Sequence, residues 1–336
     1  SYTDEELNQM LKSNNHGERE TASNWNSIKE KIGNFISITG LDCSVSEDGN
    51  VYTITCHTKY EKTGDTDVVV TYEQDMMRGE VFWYAQVRTH TDVKVPYVYY
   101  KDFSHTVFPS DYFIMERMDG EQLNNAKLSA EEQRWCCKEI ARITAKFHKV
   151  SNDQFGYLQN KLYDNWYLAL KSMIENLIQD IERTGRHTKR GKKLLFYAEK
   201  YKDILKNVPA SMVNCDLWYG NILCVKNEDS LKLIIIDPER TFWGDCMFDF
   251  ANLEFAKMLD KKETTLSAYN KIAKTTVNCS KEEMIRFAFG IGYLALVQEA
   301  EKYYRYTPHH FGWWRNVFSC LFLYKNSFKI LSRGLK

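Results

Sequence analysis

The feature that most restricts the fold is one segment, NCDLWYGNILCVKNEDSLKLIIIDPE, running from Asn214 to Glu239. "LKLIIID" reads as a buried strand that ends in Asp237, and "NIL" opens a second short apolar strand. "KNEDS" has turn composition. A hairpin of this kind brings Asn221 and Asp237 to one rim, with Asp216 just upstream on the same loop. Two oxygen ligands beside a third carboxylate suit Mg²⁺, which takes one or two protein ligands plus substrate phosphates. The remaining carboxylate can accept a hydroxyl proton. Read alone, the same residues also fit a turn Asp, an Asn near a Gly and a strand-end Asp.

Around this segment the chain changes character once. "FISITGLDCSVS", "VYTITCHTKYEK" and "DVVVTYEQ" are rich in Val, Ile, Thr and Tyr, and "EDGN" and "TGDT" between them are turn-like. They predict three consecutive antiparallel strands. "MMRGEVFWYAQVRTH" predicts a helix, and "PYVYYKDF" and "DYFIMERM" return to strand. After "DGEQL" the chain is helical. Ser129 and Glu132 form a capping-box pattern ahead of an apolar periodicity that lasts to Phe147. Helices are expected over much of 163–206 and from Met247 onward. This reading divides the chain into an N-terminal helical extension (1–34), a small sheet-rich lobe (35–119) and a larger helical lobe (120–336). The fold class is α+β.

Composition narrows the partners. The 45 basic and 45 acidic side chains cancel, which gives no electrostatic reason to expect a nucleic acid or an anionic membrane. No apolar run approaches the ~20 residues of a membrane helix, and "SYTDEELNQM" lacks a signal-peptide pattern. The nine cysteines include no CxxC pair. That predicts reduced thiols and a cytoplasmic setting.

The D-x-x-x-x-N spacing of Asp216 and Asn221 is that of a kinase catalytic loop. Here it resembles the aminoglycoside phosphotransferase and choline kinase superfamily. "DLWYGNIL" also looks like the loop of fructosamine kinases. "WGDCMFDFANLE" is similar to the superfamily's G-D-x-x-x-D-L-A block, "YFIMERMDGEQL" to its inter-lobe hinge, and "ITAKFHKV" to the end of the helix before the catalytic loop. The four motifs occur in matching order over about residues 35–260. The resemblance implies a two-lobe protein-kinase-like fold and Mg²⁺-dependent transfer of the γ-phosphoryl group of ATP or GTP to a hydroxyl of a small molecule. It makes Asp216 the catalytic base and Asn221 and Asp237 the Mg²⁺ ligands. Glu80 sits where the family places the partner of a phosphate-binding lysine, and the hinge backbone around Glu116–Met118 would meet the adenine edge. Asp249 would buttress the catalytic loop by accepting backbone hydrogen bonds.

The pattern is broken in three places. Asn214-Cys215 stands where the family has His-Gly. Pro238-Glu239 follows the metal Asp. No lysine occurs from Asp65 to Arg78, and Thr71 lies near the expected lysine position. The loss removes a charge-assisted contact to nucleotide phosphates. Lys59, one strand away, replaces it if it shares the face that covers the nucleotide; otherwise Lys59 is a solvated strand-edge lysine, and another cation such as Arg78 is needed. The resemblance also leaves open a catalytically weak or inactive kinase-like binding or scaffold protein, of the kind associated with spore coats. The aromatic tail "EKYYRYTPHHFGWWRNVF" (301–318) has two readings. It is a cation–π box for a cationic acceptor at Trp313, Trp314 or Tyr304, of aminoglycoside, choline or amino-sugar type, or it is helix packing.

Overall fold

The computed structural model describes residues 42–47, 50–55, 76–103, 112–116, 118–227 and 230–334. Lys59, Thr71 and the third predicted strand lie outside the described residues. The chain forms two compact units. The first takes the residues up to Glu121 together with Leu223–Asp237, and the second takes Gln122–Ile222 and Pro238–Lys336.

In the first unit, β1 (Asp42–Glu47) and β2 (Asn50–Thr55) pair antiparallel, with Glu47 opposite Asn50. They extend through β4 (Tyr112–Met115) to β3 (Val98–Asp102), giving the order β1-β2-β4-β3. The helix expected from "MMRGEVFWYAQVRTH" is α1 (Met76–His90). Its buried face carries Met77, Glu80, Val81, Tyr84 and Val87, an i, i+3, i+4 pattern. The apolar hairpin forms β9 (Ile222–Asn227) and β10 (Ser230–Ile235), joined by the short β5 (Glu121–Gln122) in the order β10-β9-β5.

The second unit is mainly helical. Helix α2 (Ala130–Phe147) opens with the predicted capping box: Ser129 Oγ accepts the Glu132 N–H, and the Glu132 carboxylate accepts the Ser129 N–H. Its buried residues Cys136, Ile140, Ile143, Thr144 and Phe147 recur at helical spacing and deliver His148 at the helix end. Helices α3 (Trp166–Arg183), α4 (Lys189–Lys200) and α5 (Lys202–Lys206) fill the region read as helical. Then come α6 (Glu263–Asn270), α7 (Lys281–Arg305) and α8 (Phe311–Arg333). The middle of α7 is buried all round, and α8 lies against it. Gly292 permits the approach, because a Cβ there would stand 2.7 Å from Ser327 Oγ and 2.8 Å from Leu194 Cδ1.

Within this helical unit lies a sheet that the periodicity does not announce. Strands β6 (Ser151–Asn152), β7 (Gly156–Tyr157), β8 (Ala210–Val213) and β11 (Phe242–Gly244) form the order β6-β8-β11-β7. Strands of two to four residues are too short to show alternation. Behind the sheet, Trp166 stacks on Phe242 with centroids 5.5 Å apart and meets Phe248 edge-on at 5.0 Å. That aromatic cluster is the floor on which the next loop rests.

Candidate active site

β8 is buried along its length and ends at Val213, so the following residues leave the sheet under tight constraint. Cys215 takes φ 60°, a left-handed conformation that side-chain-bearing residues adopt only when their surroundings impose it. Asp249 imposes it. Its carboxylate accepts the N–H of Asn214 at 3.1 Å and of Cys215 at 2.6 Å, and Asn252 Nδ2 donates to Cys215 O at 2.9 Å. Asp249 is fully buried and is held from the other side by His148 Nε2 at 2.9 Å, while His148 Nδ1 meets Tyr269 OH at 2.7 Å. The buttress role expected of Asp249 is thus present, and the His of "FHKV" belongs to it. The other acid of that block, Asp245, forms a two-bond ion pair with Arg286 at 2.7 Å and caps the Met247 N–H.

The loop presents Asp216. Its N–H is taken by Asn214 Oδ1 at 3.0 Å, so Asn214 organises the turn from the position where the family has His. Asn214 Nδ2 is buried without a partner among the described residues. Asn221 Nδ2 donates to both the Asp216 carbonyl, at 3.2 Å, and Asp216 Oδ2, at 3.1 Å. The donor end of that amide is therefore turned toward Asp216. Gly220 lets the chain turn beneath Trp218, since a Cβ there would lie 2.1 Å from the indole.

Sequence reasoning passed over Arg240. It is half-buried, its Nη1 stands 3.7 Å from Asp216 Oδ1, its Nε stands 3.8 Å from Glu239, and it also pairs with Glu301. Burial opposes its charge, but Asp216, Glu301 and Glu239 outweigh that and hold the guanidinium protonated. Burial likewise raises the Asp216 pKa above the ordinary carboxylate value; Arg240 pulls it down, while Glu239 and Glu301 push it up. The visible signal for Arg240 was its place three residues after Asp237. Its partner Glu301 is far along the chain, so the pairing could not be read.

The first unit carries the other predicted site residues. Glu80 is buried one helical turn before Tyr84 on α1. Burial and the neighbouring Glu80, which hydrogen-bonds the phenol, raise the Tyr84 pKa well above its usual value. The same phenol oxygen accepts the Asp237 N–H at 3.2 Å. Glu80, Tyr84 and Asp237 therefore form one connected group, and Tyr84 is a member that sequence reasoning missed. Asp237 has φ 55°, a turned backbone at the end of the hairpin. Glu116 is engaged with the β3 side: its N–H donates to Tyr97 O at 2.7 Å, its carboxylate accepts the Tyr97 N–H at 3.1 Å, and Lys94 lies 3.6 Å away. Met118 is half-buried beyond it. Arg78 is exposed, lies over the Phe103 ring at 5.0 Å and donates to Phe103 O.

Within the aromatic tail, Tyr303 and Trp313 are engaged by the chain's own cations. Arg186 lies over Tyr303 at 4.6 Å and Trp313 at 5.7 Å, and Lys302 Nζ reaches the same two rings. The chain's own cations thus occupy the faces that a cation box would offer. Tyr304 OH donates to Asp180 O, and Trp314 Nε1 to Pro308 O. Glu299 is buried and accepts from Thr188 and Tyr324.

Comparison with known proteins bears on the fold and the family. Among solved structures, a Ralstonia eutropha JMP134 protein assigned as an aminoglycoside phosphotransferase matches with TM-score 0.62 and 13% identity, covering 91% of this chain and 99% of its own. A microcompartment-associated aminopropanol kinase matches with TM-score 0.58 and 16% identity, covering 87% and 90%. A choline kinase from Streptococcus pneumoniae matches with TM-score 0.55 and 14% identity, covering 91% and 99%. These likenesses establish the two-lobe, kinase-like α+β fold. No curated protein matches the chain by sequence. The model of the phosphotransferase enzyme family matches residues 62–263, a span that contains Glu80, the pinned Asp216 loop, Asp237 and Asp249. The chain therefore belongs to the phosphotransferase enzyme family.

Proposed function

We propose that the protein transfers the γ-phosphoryl group of ATP or GTP to a hydroxyl of a small acceptor. The observation that carries this reading is the pairing of Asp216 with Asn221 on a loop whose backbone is held by buried Asp249. In the proposed step Asp216 accepts the acceptor's hydroxyl proton as the acceptor oxygen bonds to the γ-phosphorus. The bond from that phosphorus to the nucleoside diphosphate breaks. Asn221 holds the Asp216 carboxylate in one orientation, which supplies the positioning on which phosphoryl transfer depends.

The donor set fits Mg²⁺. The amide oxygen of Asn221 and the carboxylate of Asp237 are hard oxygen ligands, few enough to leave room for phosphates and water. Bound there, Mg²⁺ would neutralise phosphate charge. Glu80 and Tyr84 position Asp237 through its backbone. Lys59 is proposed as the cation facing the phosphates in place of the missing lysine. Since the Glu116 N–H is given to Tyr97, the hinge would meet the base through its other backbone groups near Met118.

For the acceptor, Asp216, Glu239 and Glu301 surround the half-buried Arg240 guanidinium, with the more exposed Arg305 reaching Glu301 from the rim. The named charges leave one carboxylate in excess, which favours a cationic acceptor of aminoglycoside, choline or amino-sugar type. Trp218 and Tyr219, half-exposed beside Asp216, offer flat faces to such a molecule. The test is nucleotide turnover with Mg²⁺ across a panel of amino-sugar and amino-alcohol acceptors, with Asp216→Asn alongside. Acceptor-stimulated turnover that the substitution abolishes supports the reading. Turnover equal in wild type and variant would overturn it.

A further inference from the structure

The balanced net charge hides a segregated one. Helix α8 contains Arg315, Lys325, Lys329 and Arg333 and no Asp or Glu. Its inner face is fully employed: Gly312, Asn316, Cys320, Leu323, Tyr324, Ser327 and Leu331 are buried, with Ser327 donating to Ala288 O and Tyr324 to Glu299. The fold requires nothing further of this helix. Yet its outer face is not a solvated polar one. Phe311 is 80% exposed, Trp314 50%, Phe318 67%, Leu321 38% and Phe322 43%.

At about 100° per residue, all the exposed positions of α8 fall within an arc of about 120°. Phe311, Trp314, Phe318, Leu321 and Phe322 fill the N-terminal half of this stripe, and Lys325, Lys329 and Arg333 fill the C-terminal half. Trp314 is held in place by its hydrogen bond to Pro308 O. Helix α4 packs on α8 through Tyr197 and Phe328, with ring centroids 5.9 Å apart, and adds exposed Lys193, Phe196 and Lys200. Lys193 Nζ lies 4.7 Å from the Phe328 ring, so the basic residues of α4 continue those of α8.

We propose that this face docks on an anionic lipid surface. An aromatic and basic helix face lies in the bilayer interface, with its rings among the upper acyl chains and its cations at the headgroups. Charge complementarity decides the occupant. A second copy of the chain would set two wholly basic faces against each other, and a soluble acidic partner leaves the Phe stripe without an apolar counterpart. Zero net charge describes the whole molecule's field and not this face.

The full-length protein would be sedimented with phosphatidylcholine vesicles, alone or carrying phosphatidylserine. Binding is expected on the anionic vesicles and is expected to weaken with salt. Phe318→Ser with Phe322→Ser should abolish it. Lys325→Gln, Lys329→Gln and Arg333→Gln together should reduce the partition coefficient about a hundredfold, at about fivefold per charge. All five positions are exposed and none is among the residues named in the site, so nucleotide turnover serves as the folding control. The proposal is overturned by equal binding to neutral vesicles, by no binding, or by anionic binding that neither variant changes. It is also overturned if Phe318→Ser dissolves a dimer in sedimentation velocity while vesicles bind nothing, or if polyglutamate binds as tightly as the vesicles.

Discussion

Asp249 accepts the Cys215 N–H at 2.6 Å, and Cys215 is the left-handed residue directly before Asp216. The strain at Cys215 is therefore met by a buried acceptor that also takes the Asn214 N–H and His148. Asp249→Ala leaves those donors buried and unpaired. We expect a loss of about 3 kcal/mol or more, because each unsatisfied buried group costs roughly 1–3 kcal/mol. Urea unfolding measures it, and a change below about 1 kcal/mol would show that the loop does not depend on this acceptor.

Asp216→Asn separates chemistry from binding. Removing a general base lowers kcat by roughly 10²–10⁴-fold, with little change in nucleotide affinity. The same variant should be more stable than wild type. The folded Asp216 carboxyl releases its proton at higher pH than the unfolded one, so stability falls as pH rises through that window. The gain in Tm should be present at neutral pH and vanish below the unfolded carboxylate range. A neutral-pH Tm equal to or below wild type would count against the raised pKa.

Arg240 draws the Asp216 pKa downward against burial. Arg240→Gln should therefore shift the acid limb of the kcat profile to higher pH, and Arg240→Lys should largely restore it. If the limb stays in place while kcat falls, Arg240 positions the loop without tuning the base.

Tyr84→Phe removes the acceptor of the Asp237 N–H and the donor to Glu80. A stability cost of about 1 kcal/mol is expected, together with a higher nucleotide KM in the presence of Mg²⁺. Asp237→Ala should abolish the Mg²⁺-dependent part of nucleotide affinity. Titration calorimetry that finds this part intact in Asp237→Ala excludes Asp237 as a metal ligand.

Lys59→Ala tests the relocated cation. Nucleotide KM should rise or kcat should fall, while Arg78→Ala, whose guanidinium lies on Phe103, should leave both near wild type. The reverse pattern would assign the phosphate contact to Arg78.

Much of the architecture was legible because it is local. The Ser129–Glu132 cap, the α1 periodicity and the apolar hairpin each follow from residues within a few positions of one another, where helix and strand rules operate. Asp216, Asn221 and Asp237 stood out for the same reason: one loop and one hairpin carry them all. What sequence left undecided depends on partners distant in the chain. Arg240 finds Glu301, Tyr84 finds Asp237, and Lys302 and Arg186 occupy the aromatic faces that looked suited to a ligand. The short β6-β8-β11-β7 sheet is stabilised by burial against Trp166 and Phe248 rather than by its own pattern. Composition could not say where the charges lie. Only packing, which buries one face of α8 and leaves the other in solvent, separates a balanced sequence into a basic aromatic surface.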